Sequence, residues 1–187
     1  SLLKYPQLGK YYQTGICHID TDIAHAKHCY GELLAGKPGV LVWGDSHAAS
    51  LHMGIWAALD DVPKAHMTAA GCPPVLGFQT KDRPYCKQAN ESVLAIIRQT
   101  VSPLVILHAN WRRYAKDPGL LTTLENTLVV LKEAGAKVVL AGSLPQWRPS
   151  LPEIVAGKMY QHDKKLSQLP LLMSSNRYRE LNEIDRG

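Results

Sequence analysis

The sequence predicts an α/β fold, a three-layer sandwich with a mostly parallel central sheet, on three observations. From Val40 onward, short apolar runs alternate with segments of helical period. The apolar runs are nearly continuous, as in strands buried on both faces. The segments between them are long enough for the right-handed crossover helices that parallel strands require.

Val40 to Trp43 is the first strand of this alternation, and a helix is expected over Ala48 to Leu59. A second strand follows at Ala65 to Ala69, closed by the Gly71-Cys72-Pro73-Pro74 break and an irregular loop through Pro84. Lys87 to Gln99 reads as a helix with Val93, Leu94, Ile96 and Ile97 on one side. Pro103 introduces a third strand, Leu104 to Ala109. Leu120 to Glu133 carries an apolar stripe of Leu121, Leu124, Leu128 and Leu131, with Gly135 placed for a helix C-cap. Lys137 to Leu140 is the fourth strand.

Residues 1–39 are irregular and read as a strap or partial layer on the outside of the sheet, with residues 40–187 as the core of a single domain. Asn176 to Asp185 reads as an amphipathic helix after which the alternation calls for a further strand. The chain is therefore expected to stop short of its complete fold. It opens on Ser-Leu-Leu-Lys without a signal pattern, the expectation for an excised domain.

A length of 187 residues suffices for one core, and 45% apolar with 20% charged residues is ordinary globular composition. The longest apolar run, Leu104 to Ala109, is far too short to cross a bilayer. The net charge of +5 is dispersed along the chain, which argues against a nucleic-acid partner. Neither GxGxxG nor GxxxxGK[ST] occurs, and no cofactor is expected.

Four cysteines, at 17, 29, 72 and 86, allow three connectivities. The close pairs Cys17–Cys29 and Cys72–Cys86 read as disulfides, each closing a short loop and contributing about 3 kcal/mol by restricting the unfolded chain. Such bonds imply an oxidising compartment; four buried free thiols are the alternative.

The chemistry centres on Val40 to His47, an apolar strand that stops at Gly44 and presents Asp45, Ser46 and His47. A serine at a strand-to-helix turn is a familiar nucleophile position. Its hydroxyl needs a base and donors for an oxyanion. Gly71, after the second strand, offers a bare backbone N–H; Asn110, after the third, offers a side-chain amide; the Ser46 N–H is the third donor. Capping of the following helix is the alternative role for Ser46. Asp45 is expected to bond backbone around the turn, and His47 to be structural or substrate-facing.

These blocks resemble the SGNH hydrolase-like superfamily, and within it the SGNH domains fused to acyltransferase-3 membrane proteins that O-acetylate bacterial cell-surface glycans. The resemblance runs from Val40 to about Pro145. Gly44-Asp45-Ser46-His47 is similar to that group's GDSH nucleophile block, Ala69-Ala70-Gly71-Cys72-Pro73-Pro74 to its AGCPP glycine block, and His108-Ala109-Asn110-Trp111 to its asparagine block. The resemblance implies a flavodoxin-like SGNH fold in the periplasm, with acyl transfer through Ser46 to a cell-envelope glycan. It also implies a membrane acyltransferase domain in the same polypeptide as acyl donor. An esterase using water, and a non-catalytic glycan-binding or docking domain, are the alternatives.

The family's last block carries an Asp-x-x-His whose histidine is the base. No such pair follows Asn110, and the only later histidine is His162. A chain without that block is expected to be inactive or weak. Asp22 and His25 have the spacing but precede the nucleophile. The cluster Cys17, His18, Asp22, His25, His28 and Cys29 fits no common zinc pattern, so no metal is expected. Trp111 and Arg112, with Arg113 and Tyr114 behind them, are expected at the site rim, where an aromatic face and a guanidinium suit a glycan. The alternative is a solvated loop with one buried tryptophan.

Overall fold

The computed structural model describes residues 8–21, 24–59 and 61–143, and every element below belongs to the unit Ser1–Gly142. A short helix, α1 (Leu8–Tyr12), leads into the two-residue strand β1 (His18–Ile19) and two 3-10 turns, Lys27–Cys29 and Gly31–Ala35. There follow β2 (Val40–Gly44), α2 (Ser46–Ala58), β3 (Lys64–Ala69), α3 (Tyr85–Ile97) and β4 (Leu104–His108). The last described elements are α4 (Trp111–Tyr114), α5 (Leu120–Glu133) and β5 (Lys137–Leu140). The expected tail helix at Asn176 to Asp185, and His162, lie outside the described residues.

The five strands form one sheet in the order β1-β3-β2-β4-β5, and every pairing is parallel. Alternation along the strands separates two faces. Leu41, Trp43, Ala65, Met67, Val105 and Leu107 bury toward α3 and α5, against Val93, Ile97, Leu124 and Leu131. The residues between them in sequence, Val42, His66, Thr68 and His108 among them, face the α2 side, where His52 stacks on His66 with ring centroids 4.0 Å apart. Helices thus cover both faces, as continuous apolar strands require.

Two expectations need correction. Residues 1–39 do not lie wholly outside the sheet: His18 and Ile19 pair with Thr68 and Ala69 as an edge strand. A two-residue strand is too short to show any periodicity, and long-range ties hold it: the Cys17–Cys29 disulfide and a His18 Nδ1 to Thr68 Oγ1 bond of 2.9 Å. On α5 the buried stripe is Leu120, Leu124, Thr127 and Leu131, while Leu121 is 71% exposed. Thr127 is admitted to the core because its hydroxyl donates to the Thr123 carbonyl and accepts from the Leu76 N–H.

Helix starts follow from caps. α2 begins at Ser46 rather than Ala48 because Asp45 is its N-cap, accepting from the His47 N–H at 2.8 Å. Gly135, with φ +78°, follows the last turn of α5 as anticipated.

The α2 face buries an unusual number of imidazoles: His18, His25, His52, His66 and His108 are all buried. His25 Nε2 donates to the Thr68 carbonyl at 3.0 Å, tying the N-terminal segment to β3. Burial holds His18, His25 and His52 below the ordinary imidazole value and pushes His66, also facing neighbouring imidazoles, to about 3. Because these groups are more readily protonated when unfolded, their contribution is complete above pH 6.5 and is lost as pH falls from 6.5 toward 3. Urea unfolding is therefore expected to show stability falling from pH 7 to pH 5. His66→Phe keeps the stack and removes the proton, and is expected to flatten that slope by up to about 1.4 kcal/mol per pH unit. An unchanged slope would rule out His66 as a contributor.

Candidate active site

The site is assembled where β3, β2 and β4, three adjacent strands, deliver their carboxyl ends. At the end of β2 the chain passes so close to β4 that a Cβ on Gly44 would lie 1.7 Å from the His108 carbonyl oxygen. Only a glycine permits this approach. It brings the start of α2 beside the segment that follows β4.

Asp45 joins the two. Its carboxylate is buried, only 2% exposed, and takes three donors: the His47 N–H on Oδ1, and the Asn110 N–H at 3.0 Å and the Tyr114 hydroxyl at 2.7 Å on Oδ2. A buried carboxylate is tolerated when its lone pairs are so occupied. Burial, followed by the charge of Asp45 and its hydrogen bond, pushes the Tyr114 phenol well above its usual range, so Tyr114 stays a donor.

Ser46 is half-buried, the first residue of α2, and its hydroxyl makes no hydrogen bond to the described residues. The capping role belongs to Asp45. Asn110, half-buried, stands just beyond β4 with its backbone pinned to Asp45. Gly71 follows β3 with φ +68°, and a Cβ there would meet Arg83 Nε at 3.0 Å. The Gly71 loop is held by the Cys72–Cys86 disulfide, by the Tyr85 hydroxyl on the Ala70 carbonyl at 2.8 Å, and by Asn90. Asn90 Nδ2 donates to the carbonyls of Pro73 and Val75, while its Oδ1 accepts from the Trp43 indole on β2.

His47 and His108 lie side by side, ring centroids 6.2 Å apart. His108 Nδ1 donates to the Ala141 carbonyl at 3.3 Å, and burial lowers its proton affinity, so this ring is held neutral. Trp111 is half-buried against the core with its indole N–H on the same carbonyl at 2.7 Å, whereas Arg112 is exposed. Arg113 and Tyr114 instead line a cleft of about 340 Å³ together with Gly71 and Arg83. Sequence reasoning placed no weight on Arg83, whose only local signal is its position beside the disulfide.

His25 is engaged by Thr68, and Asp22 lies outside the described residues. Cys17, His28 and Cys29 bring ligand-type atoms within 4.8 Å of one another, but the two sulfurs are bonded to each other and offer no thiolate.

This arrangement of blocks has a counterpart in sequence families. The model of the SGNH domain, described as fused to AT3 domains, matches residues 16–186. The chain belongs to the SGNH domain family. A search of curated proteins finds no match. Among solved structures, this SGNH domain is similar to the periplasmic domain of a lipopolysaccharide acetyltransferase from Salmonella ser. Paratyphi A, with a TM-score of 0.63 and 22% identity. The alignment covers 86% of this chain and spans 65% of the length of that one, and it shows the fold.

Two substitutions probe the SGNH domain's central contact. Tyr114→Phe removes one bond to a buried carboxylate and is expected to lower the unfolding free energy by about 1.5–3 kcal/mol. Gly44→Ala, which drives a methyl into the His108 carbonyl, is expected to destabilise further. Urea denaturation checks both; wild-type stability in Tyr114→Phe would deny Asp45 its linking role.

Proposed function

We propose that this SGNH domain carries out serine-dependent O-acyl transfer, passing an acetyl group through Ser46 to a hydroxyl of a cell-envelope polysaccharide. The observation that carries the reading is the Asp45 carboxylate. It ties the backbone on either side of Ser46 to the backbone of Asn110, so nucleophile and amide donor share one rigid support.

In the first half-reaction the Ser46 Oγ attacks the acyl carbonyl carbon. The Oγ–C bond forms as a general base takes the Ser46 hydroxyl proton and hands it to the donor's leaving group, whose bond to the acyl carbon breaks; the negative oxygen is met by the Ser46 and Gly71 N–H groups and the Asn110 carboxamide. In the second, a sugar hydroxyl attacks the acyl-serine, its new O–C bond forming as the Oγ–C bond breaks. The sugar proton leaves through a general base and returns to Ser46 Oγ. In the family pattern that base is the histidine of a C-terminal Asp-x-x-His, which does not occur after Asn110 in this sequence; on this reading Ser46 is the nucleophile and Gly71 and Asn110 are the donors.

Membership in a family of domains fused to AT3 domains supports a membrane acyltransferase in the same polypeptide as the acyl source. The likeness to a periplasmic domain supports an extracytoplasmic location, consistent with two disulfides. No helix among the described residues is long and apolar enough to cross a membrane.

The test is turnover of a small chromogenic acetyl ester by the full-length protein. Ser46→Ala is expected to abolish it. Asn110→Ala is expected to reduce kcat by about 10²–10³ with little change in KM, as for one lost oxyanion donor. Equal turnover by Ser46→Ala and wild type would remove Ser46 from the mechanism.

A further inference from the structure

The cleft beside Gly71 has a composition that points to its occupant. Its lining includes Phe78, Thr80, Asp82, Arg83, Arg113 and Asp117, with Gly71 and the Tyr114 ring also on its wall. Its wall therefore includes both the glycine of the second block and the tyrosine that holds Asp45. Both guanidinium groups lie close enough to the Tyr114 phenol for their charges to act on it.

Two cations and two anions line this space, so its formal charge is zero. None of the four makes an ion pair within 4.0 Å with a described residue; the ion pair found at that distance is Lys87–Glu91, on α3. Arg83 goes further, because its Nε–H is buried and has no hydrogen-bond acceptor among the described residues. Asp117 has one oxygen on the Gly119 N–H, and carboxylates accept at both oxygens. Phe78 and Tyr114 supply apolar surface, their rings nearly perpendicular with centroids 5.7 Å apart.

Carboxylates that accept from hydroxyls, guanidiniums that donate to ring and glycosidic oxygens, and aromatic carbon for a C–H face are the groups that a polyhydroxylated ring needs. An acidic sugar would meet Asp82 and Asp117 as well as the arginines, and so would gain little from its charge. The volume of about 340 Å³ lies within the range of small-molecule sites.

We infer that this cleft is the acceptor subsite and that it takes an uncharged sugar ring of a glycan in preference to an acidic one. The inference rests on the acyl-transfer reading of Ser46 for the word acceptor, and on the cleft alone for the sugar class. It keeps Arg113 from the rim cluster named on sequence grounds and places Arg83, Asp82 and Asp117 beside it in place of Trp111 and Arg112.

The test is amide chemical-shift perturbation with three probes: mannotriose, chitotriose and trigalacturonate. At least one neutral probe is expected to shift the amides of Phe78, Thr80, Arg113 and Asp117, with an affinity insensitive to salt. The double variant Arg113→Gln with Asp117→Asn, both at exposed positions, is expected to weaken that binding by about tenfold or more, and Lys87→Gln on α3 to leave it unchanged. Shifts confined to other residues, or no shifts with any probe, would overturn the assignment. Tighter, strongly salt-dependent binding of trigalacturonate would overturn the sugar class and mark an anion site. Ester turnover separates the two layers. Turnover indifferent to Ser46, with sugar bound in the cleft, defeats the acyl reading alone; Ser46-dependent turnover with no sugar in the cleft defeats the subsite alone.

Discussion

The fold and the site both depend on one buried carboxylate. Asp45 lies at the carboxyl end of the central strand, and its three donors come from its own helix, from the segment after β4, and from Tyr114 on α4. A carboxylate buried to this degree is tolerable only with such partners, and removing any of them leaves a desolvated charge short of compensation. The bare Cα of Gly44 makes the arrangement possible by letting β2 approach the His108 carbonyl. Ser46 follows directly, so its position is set by backbone packing on one side and by a charged hydrogen-bond hub on the other.

The Gly71 loop is secured independently. A disulfide, a tyrosine hydroxyl and the buried Asn90 amide converge on four residues within six positions, Ala70, Cys72, Pro73 and Val75. Asn90 also holds the Trp43 indole, so the loop after β3 is tied back to the strand that carries Asp45 and Ser46. For the proposed acyl transfer, two loops pinned in this way on adjacent strand ends would aim the donors before charge develops. Arg83, packed against Gly71, links that precision to the cleft.

The opposite side of the sheet is organised differently. Where α3 and α5 meet apolar residues, α2 and the N-terminal segment meet imidazoles, which anchor β1 and the Cys17–Cys29 loop by hydrogen bonds to Thr68. Polar anchors of this kind hold an irregular segment to the sheet, and they make the attachment sensitive to acid.

Much of this was legible in the residues. Strands β2 to β5, helices α2, α3 and α5, the disulfide pairs and the placement of Ser46, Gly71 and Asn110 beyond successive strands all follow from local period, punctuation by glycine and proline, and cysteine spacing. These are properties that a short window of chain determines by itself, because burial on both faces dictates a continuous apolar run. The edge strand β1, the core role of Thr127, the exposure of Leu121, the meeting of Tyr114 with Asp45 and that of Arg83 with Gly71 were decided by tertiary structure alone. The longest of these ties join residues 69 apart for Tyr114 and Asp45 and 51 apart for Thr127 and Leu76, and a hydrogen bond to a buried group leaves no periodic trace in the segments it joins.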